Sequence, residues 1–185
     1  MMKVRKSIVV ALMAAVLCAL SPWAIPVGVI PLSLSTLGVY LAVGLLGMRQ
    51  GSAAVGVYLL LGALGVPVFA GFSGGLAHIV GPTGGYLPGY LACAVSAGAL
   101  LAWQPRRCLV PLWLTVGTLV LYAVGTLWYL WQTACPLWSA LAVCVLPFLV
   151  ADGAKIAVAT VVIWSLRGRL RPLLQPREVK KEESL

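Results

Sequence analysis

The chain has 185 residues, of which 62% are hydrophobic and only 9% are charged. A soluble domain carries about 25% charged residues, so this composition excludes an ordinary soluble fold and indicates an integral membrane protein. The net charge of +9 does not indicate a nucleic-acid-binding protein, because every basic residue except Lys155 lies in one of four short hydrophilic breaks around the apolar segments. Basic residues in such breaks are typical of the cytoplasmic ends of membrane helices.

Six apolar segments predict six transmembrane helices, since about 20 apolar residues cross the hydrocarbon core of a bilayer. These helices are expected at about residues 7–20, 34–48, 52–66, 84–103, 109–131 and 147–166. The first segment has the basic start of a signal peptide, but Pro22 and Pro26 crowd the place of a cleavage site, and we predict a retained helix. The loops after the first, third and fifth helices contain no Lys or Arg, which predicts that both termini are cytoplasmic.

The predicted organisation is one all-α transmembrane domain over residues 1–185, with a helical bundle over about 7–167 and a cytoplasmic basic tail over about 168–185. Residues 135–146 are expected as a short apolar piece at the outer interface. The segment 67–90 is rich in glycine and aromatic residues and carries no charge, so we expect a functional loop with little regular structure. The five cysteines form no CxxC pair and are interpreted as small buried hydrophobic residues.

Two ionisable residues stand out in the sixth predicted helix. Asp152 is the only acidic residue before the tail, and Lys155 is the only basic residue inside a predicted helix. Residues three apart share one helix face, and each charge costs about 2.5–3.5 kcal/mol at the centre of a bilayer. The pair therefore predicts either the wall of an outward-facing ligand pocket or a structural ion pair that neutralises itself.

A glycine-rich turn, Gly81–Tyr86, precedes the fourth predicted helix. Gly84 and Gly85 are expected to let the backbone approach an anionic ligand group, and the free N–H groups of the helix start are expected to face Lys155. A simple turn is the alternative interpretation. His78 is the only histidine and has no partner at metal-ligand spacing, so no metal site is expected.

Small residues mark one face of the first helix. Ala11, Ala15 and Ala19 are four positions apart, a spacing that lets another helix approach closely in lipid, although alanine is also common in membrane helices. Tyr90 and Trp128 are interpreted either as anchors at the membrane interface or as part of a pocket wall. The sequence lacks a phosphate-binding loop motif, a Cys/His nucleophile pair and a carboxylate dyad, which favours binding over catalysis.

Four segments together resemble the BioY family, the biotin-specific S components of energy-coupling factor (ECF) transporters, over almost the whole chain before the tail. These segments are, in order, VIPLSLSTLGVYLAVGLLG, VYLLLGALGVPVFAGFSGG, GPTGGYLPGY and LPFLVADGAKIAVA. The resemblance implies the S-component fold, with six helices and both termini cytoplasmic, in a multi-pass protein of the cell membrane. It also implies a high-affinity, outward-facing biotin pocket that is capped by the loops after the first and third helices.

The resemblance also assigns site residues. The implied biotin-binding residues are Asp152, Lys155, Thr83, Gly84, Gly85 and Tyr86. Asp152 would accept hydrogen bonds from the ureido N–H groups of biotin, and Lys155 would pair with the valerate carboxylate or reinforce Asp152. Relatives often have Gln where this chain has Ser35, so the polar contact at that position stays open.

The implied partners are a shared transmembrane coupling subunit, which would dock on Ala11, Ala15 and Ala19, and two ABC ATPases that would supply the energy. No enzymatic activity, cofactor, metal or nucleic acid is expected. The alternatives are a solitary biotin transporter, an S component for another small vitamin, a membrane scaffold without a ligand, and an intramembrane enzyme.

Overall fold

The computed structural model describes residues 2–26 and 30–174, with side chains for 4–26 and 30–167. The helices are α1 (Met2–Leu20), α2 (Ser35–Leu46), α3 (Met48–Ala63), α4 (Leu76–Val80), α5 (Tyr86–Trp103), α6 (Val110–Thr133), α7 (Leu137–Cys144) and α8 (Leu146–Leu174). Two short strands, β1 (Ala24–Ile25) and β2 (Leu32–Ser33), pair antiparallel, and a 3-10 turn at Arg107–Leu109 precedes α6.

Three helical segments of the described chain are long and apolar enough to cross a membrane. They are Tyr86–Trp103, Arg107–Thr133 and Leu137–Arg167, and Ser35–Leu46 is a shorter apolar helix. Large apolar side chains such as Leu12, Leu127 and Val150 point outward, where lipid replaces water as the solvent. These features confirm a helical membrane protein.

The chain is mostly helical, as predicted, but its first loop contains a short β-ribbon that was not predicted. Ala24 pairs with Ser33 and Ile25 with Leu32, which forms a two-stranded ribbon between α1 and α2. Backbone N–H and C=O groups held against a helical bundle need hydrogen-bond partners, and the ribbon supplies them within the loop. The prediction missed it because each strand is only two residues long.

The segment 67–90 is also more ordered than expected. It contains the short helix α4 and an isolated bridge between Phe69 and Ser73. Gly71 and Gly75, with φ of 71° and 95°, take the left-handed conformation that turns the chain on either side of Ser73. At the other end of the chain, α8 continues to Leu174, beyond the predicted end of the bundle near residue 167.

Helix α2 lies at the centre of the bundle. It contacts α1, α3, α5 and α8, and ten of its twelve residues are buried. Small residues make these contacts close: a side chain at Gly38 would meet Leu17 of α1, and one at Gly44 would overlap Ile163 of α8. Such contacts stabilise helix pairs in lipid, where the hydrophobic effect does not drive helices together. As a result, the polar residues at the start of α2 lie inside the bundle.

Candidate functional site

A cavity opens among the β2–α2 junction, the segment 67–90, α5, α6 and α8. Its free space, including the mouth, is about 590 Å3. The polar side chains that line it are Ser33, Ser35, Thr36, His78, Thr83, Asp152 and Lys155, and the aromatic ones are Tyr58, Phe69, Tyr86, Tyr90, Tyr122 and Phe148. An apolar and aromatic wall with a few polar groups is the usual composition of a small-molecule site.

Asp152 and Lys155 line this cavity from one face of α8, which confirms the predicted geometry. Lys155 Nζ lies 2.8 Å from Asp152 Oδ1. The two residues are only 3% and 7% exposed. Removing one of the two charges would leave the other buried without a counter-charge, so the pair is stable only as a unit.

All three hydrogens of the Lys155 ammonium have an acceptor within the protein. The acceptors are the Ser33 carbonyl oxygen at 2.8 Å, Thr36 Oγ1 at 3.0 Å and Asp152 Oδ1 at 2.8 Å. An ammonium group has three donors and no acceptor, so Lys155 has no donor left for another group. The contact with Ser33 also ties α8 to strand β2 of the loop ribbon.

The carboxylate of Asp152 is satisfied unevenly. Oδ1 accepts from Lys155 and from the Thr36 hydroxyl at 3.1 Å. Among the described residues, Oδ2 accepts only from the Tyr122 hydroxyl, at 2.7 Å. A carboxylate oxygen accepts about two hydrogen bonds, so Oδ2 keeps one acceptor position. We call Asp152, Lys155, Thr36, Tyr122 and the Ser33 carbonyl the polar recess. It is neutral overall, and its remaining capacity is that of an acceptor.

The glycine-rich turn contributes to the cavity through two of its residues. Thr83 and Tyr86 line the cavity, and the Tyr86 hydroxyl donates to the Cys144 carbonyl oxygen at 2.9 Å. The structure does not bring Gly84 and Gly85 to the cavity wall. A Cβ atom at Gly84 would overlap the Ile79 carbonyl, and one at Gly85 would overlap the Trp128 side chain. These two glycines allow close packing against α4 and α6.

Three of the N–H groups expected to be free at the start of the fourth predicted helix, those of Gly84, Tyr86 and Leu87, have partners within the turn. The N–H groups of Tyr86 and Leu87 donate to the carbonyl oxygens of Thr83 and Gly84 at 3.2 and 3.1 Å. The next residue, Pro88, has no N–H group. The turn that precedes α5 therefore uses most of the donors that an anionic ligand group would need.

Two members of the recess, Thr36 and Tyr122, were not predicted from the sequence. Thr36 stands 116 residues from Asp152 and Tyr122 stands 30 residues from it, so no local spacing links them. The run of hydroxyl residues at Ser33, Ser35 and Thr36 could have pointed to Thr36. An isolated tyrosine in an apolar helix gives no such signal, so Tyr122 could not be found from the sequence. Next to the recess, Ser33 Oγ donates to Ser35 Oγ at 2.8 Å.

The loop between α1 and α2 contacts the segment 67–90 near the cavity. The rings of Trp23 and Phe72 form an edge contact at 5.9 Å, and the Gly71 N–H donates to the Pro22 carbonyl oxygen at 2.9 Å. Both loops also contribute residues to the cavity wall, which agrees with the expectation that they cover it. Tyr90 belongs to the pocket wall, which resolves the alternative left open for it.

The predicted docking stripe lies on the outside of α1. Ala11, Ala15 and Ala19 are exposed, whereas Ala14 and Leu17 of the same helix are buried against the bundle. The exposed face is therefore not packed against the described part of this chain. The docking role of the stripe remains a prediction.

Comparison with known proteins gives a consistent result. Residues 1–172 match the family model described as the BioY family. A Pyrococcus horikoshii protein named "Probable biotin transporter BioY" is 38% identical over 167 residues, which are 90% of this chain and 99% of that protein. A Rhodobacter capsulatus "Biotin transporter BioY" is 37% identical over 176 residues, covering 85% and 90% of the two chains. A crystal structure of the S-component for biotin from an ECF-type ABC transporter is similar with a TM-score of 0.82 and 29% identity, covering 90% of this chain and 92% of that one.

Proposed function

Because the chain belongs to the BioY family, we propose that it is the biotin-binding S component of an ECF-type importer and that the described cavity is its biotin site. The observation that carries this proposal is a neutral polar recess, buried in the wall of an otherwise aromatic cavity, with one acceptor position left on Asp152. The protein binds and transports its ligand and performs no catalysis.

The polar recess fits the ureido ring of biotin. That ring is uncharged and presents N–H donors, and Asp152 Oδ2 is the group with spare acceptor capacity. Lys155 reinforces Asp152 in this proposal, because its three donors are already used. Hydrogen bonds to a charged acceptor contribute about 1.5–3 kcal/mol each, so Asp152 is the principal polar contact.

The turn at Gly81–Tyr86 has a divided role in this proposal. Thr83 and Tyr86 contact the ligand as part of the wall. Gly84 and Gly85 act indirectly, because they allow the turn to pack against Ile79 and Trp128 and so hold the wall in place.

We further propose a six-helix, multi-pass topology in the cell membrane with both termini cytoplasmic. The positions of the basic residues at the hydrophilic breaks support this orientation. The exposed face of α1, with Ala11, Ala15 and Ala19, would dock the transmembrane coupling subunit, and two ABC ATPases would complete the importer. Small exposed residues on a membrane helix suit close packing by a partner helix.

The test is isothermal titration of the purified protein with biotin, with thiamine and riboflavin as controls. We expect saturable binding of biotin alone. Asp152→Asn keeps the size of the side chain but removes its charge, and it should weaken biotin binding by at least about tenfold, since it weakens a hydrogen bond to a charged group. Absence of saturable biotin binding by the wild-type protein would refute the proposed function.

A further inference from the structure

Biotin has a second polar end, the valerate carboxylate, and the cavity needs a group that can bind it. Lys155 is the obvious cation, but its three hydrogens are bonded to Ser33, Thr36 and Asp152. A carboxylate could reach Lys155 only by breaking one of these buried bonds. Among the described residues that line the cavity, His78 is the only one besides Lys155 whose side chain can carry a positive charge.

We propose that His78 binds the carboxylate of the ligand and that this contact requires a protonated imidazole. The inference rests on the proposed function, since it assumes that biotin occupies the cavity. His78 belongs to α4, in the loop segment that forms another wall of the cavity than α8. The ligand is thereby oriented with its ureido ring on Asp152 and its carboxylate on His78.

The surroundings of His78 hold its ring in place and put Nδ1 beside a hydroxyl group. Its ring stacks on Phe69, with the centroids 5.6 Å apart and the planes at 30°. Its Nδ1 lies 3.4 Å from Ser73 Oγ, and that hydroxyl already donates its hydrogen to the Ala70 carbonyl oxygen at 2.8 Å. Because that hydrogen is used, Ser73 is available to His78 as an acceptor, and the contact is a hydrogen bond when Nδ1 carries a hydrogen.

In that tautomer Nε2 is an acceptor while the imidazole is neutral. The carboxylate meets an opposite charge only after His78 takes up a second proton, and that charge is what strengthens the contact. Partial burial lowers the pKa of His78, which keeps the free imidazole neutral at pH 7. A bound carboxylate raises the pKa of His78, because an opposite charge favours the protonated form. Binding is therefore strongest below the free pKa and weakens as the pH rises through the bound pKa.

Other titratable groups face the same cavity from the elements packed around it. They are Tyr58 of α3, Tyr86 and Tyr90 of α5, Tyr122 of α6, and Asp152 and Lys155 of α8. Tyrosines titrate near pH 10, outside the range of the test. Biotin and its uncharged carboxamide present the same ureido ring to the Asp152–Lys155 pair. A comparison of their affinities therefore isolates the effect of the carboxylate.

The test is titration of the full-length protein with biotin and with biotin carboxamide at pH 5.5 and pH 8. Because an opposite charge shifts a pKa by about 1–3 units, we expect biotin to bind about tenfold more tightly at pH 5.5, and the carboxamide to bind equally at both values. Titrations near pH 7 in buffers of different ionisation enthalpy should show proton uptake with biotin and none with the carboxamide. His78→Gln should remove the pH dependence, and His78→Phe, which keeps a ring against Phe69, should do the same.

The outcomes are distinct. Biotin affinity that is independent of pH, with no proton uptake, would overturn the role of His78 and leave the proposed function standing. Failure of the wild-type protein to bind either ligand would overturn both. Should the two variants fail to fold, the comparison of biotin with its carboxamide on the wild-type protein decides alone.

Discussion

Removing the two charges of α8 singly and together separates their structural role from ligand binding. Asp152→Asn leaves Lys155 as an uncompensated buried cation, and Lys155→Met leaves Asp152 as an uncompensated buried anion, since the residues are 3% and 7% exposed. Breaking a buried pair in this way costs about 3–5 kcal/mol. The double variant contains neither charge, and replacing a whole buried pair is often neutral.

The magnitude follows from the bonds that remain. In the double variant the amide introduced by Asp152→Asn still has Tyr122 and Thr36 as neighbours, and the Ser33 carbonyl loses its partner, a loss of about 1–3 kcal/mol. Soluble domains of similar length shift their Tm by about 2–4 °C per kcal/mol. By that scale the single variants melt on the order of 10 °C below the wild type, and the double variant recovers a large part of the difference.

Thermal melting in detergent measures the stability, and titration with biotin measures the binding. We expect the two variants that contain Asp152→Asn to lose at least about tenfold in affinity, because each replaces the charged acceptor that receives the ureido N–H groups. Wild-type biotin affinity in the double variant would mean that the pair is only structural. A double variant that melts as low as the single ones would refute the claim that an unpaired buried charge destabilises them.

Two further predictions concern packing and assembly. Gly84→Ala places a Cβ atom against the Ile79 carbonyl and should destabilise the protein by about 1–3 kcal/mol. The control is Gly56→Ala, which has open space around it inside α3 and should leave the stability unchanged or raise it by up to about 1 kcal/mol. Melting curves compare the two variants, and equal effects would contradict the packing role of Gly84. Ala15→Trp places a large side chain on the exposed stripe of α1 and should abolish co-purification with the coupling subunit and the ATPases. Biotin affinity in detergent should stay within about twofold of the wild-type value. An intact complex would exclude the stripe as the docking face.

The helices were predictable because their signals are local. Apolar runs end at basic residues, prolines and glycines, and the predicted ends at Leu20 and Trp103 agree with α1 and α5. The β1–β2 ribbon and α4 were not predictable, since each has only a few residues and depends on contacts with the bundle. Short elements of this kind carry too little periodicity to stand out from a loop.

Site residues could be predicted from the sequence only where their residue type is rare in a membrane helix. Asp152 and Lys155 stand out because charges are scarce inside membrane helices, and their spacing alone placed them on one face. Tyr122 carries no comparable mark, and its contact with Asp152 exists only because α6 packs beside α8. The glycine-rich turn was predicted as part of the site, and Thr83 and Tyr86 do line the cavity. The packing role of Gly84 and Gly85 depends on Ile79 and Trp128, which the sequence does not place beside them.

The hydrogen bonding of the polar recess determines which ligand groups it can receive. A cationic group entering the recess would lie beside Lys155, and an anionic group would have to take one of the bonds that Lys155 makes to Ser33, Thr36 and Asp152. The anionic group would lose about as much as it gains, since each of those bonds is worth about 1.5–3 kcal/mol, and the cationic group would be repelled by the ammonium. An uncharged N–H donor meets no such penalty, because it adds a bond to Asp152 Oδ2 without removing one. The lysine thus selects for a neutral ligand head by being fully bonded to the protein, and the carboxylate of the ligand is left to the wall that contains His78.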